Sequence, residues 1–137
     1  GQSAGTQVPL PEGATALVYS RGSVPATTLG MLQKGMTSVT AASKTTYTAV
    51  ASDQIVVDTA ANIVTITLPA TPAVGDEVTI MDGSATGGFA TNNCVVARNG
   101  SNIEGAASDD SLTVNNQCVT LIYANATKGW LYKSTNQ

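Results

Sequence analysis

The sequence contains no histidine, and only 11% of its 137 residues are charged. Without histidine there is no Ser-His-Asp or Cys-His machinery, and the commonest zinc ligand is missing. A soluble globular chain usually carries roughly a quarter charged residues, so this surface must be built mainly from Thr, Ser, Asn, Gln and Gly. The six Lys and Arg stand singly along the chain, leaving no basic stripe to neutralise phosphates and no expectation of a nucleic-acid partner. One Trp, one Phe and four Tyr are too few and too scattered for a base-stacking platform. No apolar run approaches the roughly 18 residues that span a bilayer, and the first residues lack the basic patch and apolar core of a signal peptide. A soluble chain with no membrane partner is expected, and its available chemistry is that of carboxylate, lysine or thiol.

Residues 1 to about 44 differ in texture from the rest. Gly1 to Gly13 mix Gly, Ser, Gln and Pro, and Val8-Pro9-Leu10-Pro11 reads as an extended, polyproline-like step. One short strand candidate, Ala14 to Ser20, precedes the punctuated stretch Arg21-Gly22-Ser23-Val24-Pro25. Thr28 to Met36 holds enough Leu and Met for a helical turn, but Gly30 and Gly35 weaken it and leave a loop or strand equally open. This segment is expected to be an extended docking arm, with Val8, Leu10, Leu17, Tyr19 and Val24 as its contact residues.

Residues 45–137 are expected to form a head domain, because from there the chain becomes a series of short β-type runs divided by turn residues. The runs are Tyr47 to Val50, Gln54 to Val57, Ile63 to Leu68, Glu77 to Met81, Cys94 to Ala97, Leu112 to Val114, Val119 to Tyr123 and Gly129 to Tyr132. Val64, Ile66 and Leu68 share one face and Thr65 and Thr67 the other; Val78 and Ile80 oppose Glu77, Thr79 and Met81. Turn residues fall between the runs, and Asn99-Gly100 is the strongest hairpin signal. The pattern predicts an all-β fold: a small antiparallel β-sandwich or jelly-roll-like domain preceded by the extended N-terminal arm.

Three groups of residues carry possible chemistry. Paired acids are the one glycosidase-type constellation the composition permits. Asp76 and Asp82 flank one strand, so they lie roughly 20 Å apart and form no pair. Asp109-Asp110 sits in a Ser-flanked loop, where acids ordinarily solvate or cap a turn. No stretch matches an EF-hand calcium loop, and neither a cofactor nor a metal is expected. Cys94 and Cys118 each open a predicted strand, which fits a disulfide, two buried thiols or neither. Without histidine to activate it, a thiol nucleophile is not expected. Trp130 and Tyr132, two apart on the last strand, read either as a sugar-stacking platform or as aromatics closing the core. The core reading is favoured, because a terminal strand must bury something large to be retained. Phe89, inside the glycine-rich stretch from Gly83 to Asn93, is expected to be the more exposed contact.

Two sets of motifs point to a family. The first is Asp58-Thr59, then Ile63-Val64-Thr65-Ile66-Thr67-Leu68-Pro69, then Gly75-Asp76-Glu77-Val78-Thr79-Ile80-Met81-Asp82. The second is Arg98-Asn99-Gly100-Ser101-Asn102-Ile103-Glu104-Gly105, then Val119-Thr120-Leu121-Ile122-Tyr123 and Gly129-Trp130. In order and spacing, the segment from about Ser52 to Tyr132 resembles a small β-domain that recurs in tailed-bacteriophage virion proteins, including tail fibres, head fibres and capsid decoration proteins. It covers more than half of the chain; the first forty residues carry no such resemblance. Cys94 and Cys118 stand where that pattern has ordinary strand residues.

The resemblance implies a non-catalytic, often trimeric structural unit. The expected protein is therefore a capsid decoration (cement) or short head-fibre protein, with no enzymatic activity. Its arm docks on the major capsid protein or another virion protein, and Thr65, Thr67 and Thr79 lie near the seams of a homotrimer. It is assembled in the host cytoplasm and exposed on the particle surface. The first rival is a tail-fibre or receptor-binding carbohydrate-binding module that meets a host-surface glycan through Phe89, Trp130 or Tyr132. The second is a polysaccharide hydrolase that uses Asp109 and Asp110.

Overall fold

A computed structural model describes residues 35–134. The chain divides into two units, Gly1–Gln33 and Lys34–Gln137, and the second is the one described. The five residues expected in the arm, Val8, Leu10, Leu17, Tyr19 and Val24, lie outside the described residues.

Among the described residues nine strands follow one another: β1 (Met36–Thr40), β2 (Thr46–Thr48), β3 (Asp53–Asp58), β4 (Val64–Thr67), β5 (Glu77–Asp82), β6 (Cys94–Ala97), β7 (Asp110–Leu112), β8 (Cys118–Asn125) and β9 (Gly129–Ser134). A 3-10 turn at Gly88–Ala90 is the one helical element among the described residues. The two-residue side-chain period of a strand is plain in the burial. In β3 the buried positions are Asp53, Ile55 and Val57; in β4, Val64 and Ile66; in β5, Val78 and Ile80.

The strands form two mixed sheets, one of five strands in the order β1-β3-β5-β8-β9 and one of four in the order β2-β4-β6-β7. From β1 to β6 the chain passes to the other sheet at every step, so neighbours within a sheet are two strands apart in sequence. Those neighbours are parallel: β1 with β3, β3 with β5, β2 with β4 and β4 with β6. Only β7, β8 and β9 add in antiparallel fashion. The winding corrects the antiparallel expectation. Parallel neighbours need a long crossover, but here the crossover is itself a strand of the opposite sheet. The connections after β1, β2 and β3 are therefore turns of four or five residues that read like those of a hairpin, and those after β4 and β5 are longer loops.

β1 lies on the N-terminal side of the boundary expected at residue 44. Met36 to Thr40 pair with Gln54 to Asp58 in the five-stranded sheet, although Val39 is the only buried residue of that strand, which leaves little apolar signal in the sequence.

The inward residues of both sheets join one hydrophobic core, in which Ile55, Ile66, Leu68, Ile80, Leu121, Phe89 and Trp130 are fully buried. Removing each such side chain from water contributes roughly 1.5–3 kcal/mol. Two tyrosine hydroxyls span the sheets at the rim of this core. Tyr47 on β2 donates to Asp53 Oδ2 on β3 at 3.1 Å, and Tyr132 on β9 donates to Asp110 Oδ2 on β7 at 2.5 Å. The outer edge of β9 is covered by the chain at 102–105. Trp130 N–H donates to Asn102 O, and the Glu104 and Gly105 N–H groups donate to Trp130 O and Lys128 O. Gly129 makes this approach possible. Its φ is +73°, and a Cβ there would lie 1.9 Å from the Asn102 carbonyl oxygen.

Candidate docking surface

The residues singled out in the sequence do not converge on one site. Phe89, expected to be exposed, is 0% exposed. Gly88 turns the loop inward at φ +66°, where a Cβ would lie 2.4 Å from Asp82 Oδ2, and Asp82 Oδ2 accepts the Phe89 N–H at 3.2 Å. Trp130 is also fully buried, edge-to-face against Tyr123 with ring centroids 5.6 Å apart; this is the core placement. Tyr132 is half-buried against the core, and its hydroxyl is held by Asp110. Burial, then the bond to Asp110 and the negative charges of Asp110 and Glu104, raise its phenol far above the ordinary tyrosine value. The three aromatics therefore present no exposed stacking platform.

The carboxylates are occupied by the chain's own backbone. Asp82 accepts the N–H groups of Ser84, Phe89 and Asn116. Burial alone would raise this carboxyl, but bonds from the Ser84 and Asn116 amides, the Ser84 hydroxyl and the Phe89 amide hold it below the ordinary carboxylate value. Asp109 accepts the Arg98 N–H, and Asp110 accepts the Ser111 N–H besides the Tyr132 hydroxyl. Among the described residues no group of three His, Cys, Asp or Glu side chains is placed to hold a metal ion. Clefts of about 310, 210 and 140 Å³ are small, and the first and third are lined mostly by polar residues. The cysteines are free: Cys94 is buried on β6 and Cys118 exposed on β8, in different sheets. Burial, with the charge of Asp82 nearby, pushes the Cys94 thiol up to about 12.

The more informative feature is where charge is missing. The connections after β1, β3, β5 and β7 gather at one end of the strands, at 41–45, 59–63, 83–93 and 113–117, and hold a single ionisable residue, Lys44. Those after the even-numbered strands gather at the other end and carry Asp76, Arg98, Glu104, Asp109 and Lys128. Asp58 and Asp82 close β3 and β5 at the neutral end, with oxygens that accept backbone N–H groups from Ala60, Ser84, Phe89 and Asn116.

The neutral end is also sewn together by short polar side chains. Thr59 N–H donates to Ser84 Oγ, Asn92 Nδ2 to Thr59 O, and Ala90 N–H to Asn115 Oδ1. Asn92, Ser84 and Asn115 thus hold three separate loops in one fixed arrangement.

The outer face of the four-stranded sheet continues this neutral surface. By register, Thr46 stands beside Thr65 and Val95, and Thr48 beside Thr67 and Ala97, with Ser111 on β7. None of these is ionisable, and Ile63 at the rim is 51% exposed. The outer face of the five-stranded sheet, by contrast, carries Asp58, Glu77 and Lys133, the last two paired at 2.9 Å. Of the three expected seam residues, Thr65 and Thr67 therefore share the neutral face. Thr79 lies on the other sheet, where its hydroxyl meets that of Thr120 at 2.9 Å.

Sequence reasoning placed Thr65 and Thr67 near a seam but missed the loops that adjoin them, although a signal was present. The stretches 45–52, 59–75, 83–97 and 111–127 contain no charged residue, and they supply β2, β4 and β6, most of β7 and the three stitched loops. No protein-family model matches the chain, and no curated protein matches it.

Proposed function

We propose that this chain is a non-catalytic structural protein of a tailed-phage virion, a capsid decoration or short head-fibre protein. Its N-terminal arm docks on the major capsid protein or another virion component, and its strand-rich part, a wound β-sandwich, associates as a trimer on the particle surface. The observation that carries the reading is the rigid, charge-free surface made by the four-stranded sheet and its stitched loops. Such a surface is cheap to cover, since its loops are already ordered and its sheet face holds no carboxylate that must lose its water.

The motifs behind the resemblance support the same reading because they act as structural joints. The Leu68 carbonyl accepts Asn99 Nδ2 at 2.8 Å, Gly75 N–H donates to Tyr123 O, and Asn102 to Gly105 lie along Trp130. Carboxylates engaged by backbone amides, and aromatics turned into the core, count against the hydrolase and glycan-binding alternatives.

The test is quantitative protein mass spectrometry of purified particles of the phage that encodes the chain. The expected result is a stoichiometric component present in a multiple of three copies per particle, together with a silent glycan array. Particles that lack the chain, or a saturable glycan ligand, overturn the proposal.

A further inference from the structure

We infer that copies of this chain meet through the neutral surface, the outer face of the four-stranded sheet and the stitched end loops, and not through the outer face of the five-stranded sheet. The inference rests on the self-association proposed above and names where it occurs.

Charge decides between the two faces. Each copy has a net charge of −3, so copies repel unless their contact keeps carboxylates in water. Stripping water from an unpaired carboxylate costs several kcal/mol. Contact through the five-stranded face would bury Asp58, which pairs with no cation among the described residues, and would disturb the Glu77–Lys133 pair. Contact through Thr48 and Thr65 buries hydroxyls and methyl groups, and beside the loop at Thr86 the one carboxylate, Asp82, already accepts the N–H groups of Ser84, Phe89 and Asn116.

Symmetry adds a second argument. A closed ring of three copies needs two different patches, one on each side of every contact. The neutral surface has two such parts, a flat β face and a loop platform, at adjoining sides of the molecule. Both are stiff: the face because β-branched side chains have few rotamers, the platform because Asn92, Asn115 and Ser84 fix its loops. Little ordering entropy opposes their docking. Four strands and three loops also suit the roughly 20–30 residues per side of a standard interface.

The experiment is the absolute mass of the full chain by light scattering across a concentration series, at low and high salt, for the wild type and four variants. Thr48→Glu and Thr86→Glu each place a carboxylate on one part of the neutral surface; both positions are exposed, so the fold is retained, as circular dichroism will show. Thr48→Val keeps the shape without charge, and Gln54→Glu charges the other sheet. Trimers are expected for the wild type, Thr48→Val and Gln54→Glu, with association weakened at least about tenfold in Thr48→Glu and in Thr86→Glu. Trimers that survive both neutral-surface variants overturn the inference, and loss of trimer in Gln54→Glu alone moves the seam to the other sheet. A wild type that is monomeric throughout also overturns it, while the particle measurement decides the virion reading separately.

Discussion

The two ends of the strands are closed by different means. At the charged end the sheets are tied by two tyrosine hydroxyls on buried or half-buried aspartates, and the chain at 102–105 runs along β9. At the neutral end no such tie spans the sheets among the described residues; loops are joined to one another by amide and hydroxyl side chains around Asp82. The contrast shows how a chain poor in charge divides its few ionisable groups. Most of its loop charges lie at one end, and the outer face of the four-stranded sheet carries none.

Glycine substitutions should break the comparison most strongly. Gly129→Ala drives a Cβ into the Asn102 backbone, which has no freedom to retreat, and is expected to cost on the order of 4 kcal/mol in a denaturant melt. Gly88→Ala meets the side chains of Asp82 and Asn115 instead, at 2.4 and 2.7 Å, and these can shift. Its cost should be smaller, about 2–3 kcal/mol including the positive φ. Equal costs would show that the neutral end is as rigid as the β9 edge.

The two tyrosine ties come next. Tyr132→Phe leaves Asp110 Oδ2 without its hydroxyl donor and is expected to cost about 2 kcal/mol. Tyr47→Phe should cost about 1 kcal/mol, because Asp53 Oδ2 keeps the Val50 N–H at 2.8 Å. A double variant separates independent ties from a coupled rim.

Proton linkage then sharpens the contrast between the ends. The Tyr132 phenol is raised by folding, so above pH 10 the unfolded chain has released a proton that the folded chain keeps, and stability falls as pH rises. Cys94 adds the same trend from its ordinary value of 9.0 up to about 12. Asp82 is lowered by folding, so its contribution is present above 3.8 and is lost as pH falls through its folded value. Alkaline melts of a Cys94→Ala variant, followed by the fluorescence of Trp130, should therefore lose about 1.4 kcal/mol per pH unit above pH 10. In acid, Cys94 at the neutral end should become reactive to dithiodipyridine before Trp130 reports any change. Simultaneous signals would mean that the two ends open together. The smallest effect needs no substitution: at neutral pH Cys118 should react with a thiol reagent and Cys94 should not.

Much of this fold was legible in the sequence because local patterns dictate it. Cys94–Ala97 formed as read, and Glu77, Cys118 and Gly129 open strands within a residue of expectation. β7 lies two residues earlier than the apolar run Leu112 to Val114, since Asp110 is drawn into the sheet beside Val96, where its carboxylate reaches Tyr132. Winding was not legible, because a short turn to the opposite sheet and a hairpin turn use the same residues. The inward course of Phe89 was hidden for a related reason: it depends on Gly88 and on a carboxylate seven residues earlier, and a glycine-rich run says nothing about which way it bends.

The alternation of β1 to β6 between sheets also bears on how the chain reaches its structure. No strand in that series pairs with its immediate successor, so every one of its ladders requires a loop to close across an intervening strand before any backbone bond forms. The β8–β9 hairpin and the β6–β7 pair are the only ladders between consecutive strands among the described residues. Folding should accordingly begin near the C-terminal side and lay the earlier coils onto it. On a ribosome, the portion synthesised first would then wait for the portion synthesised last.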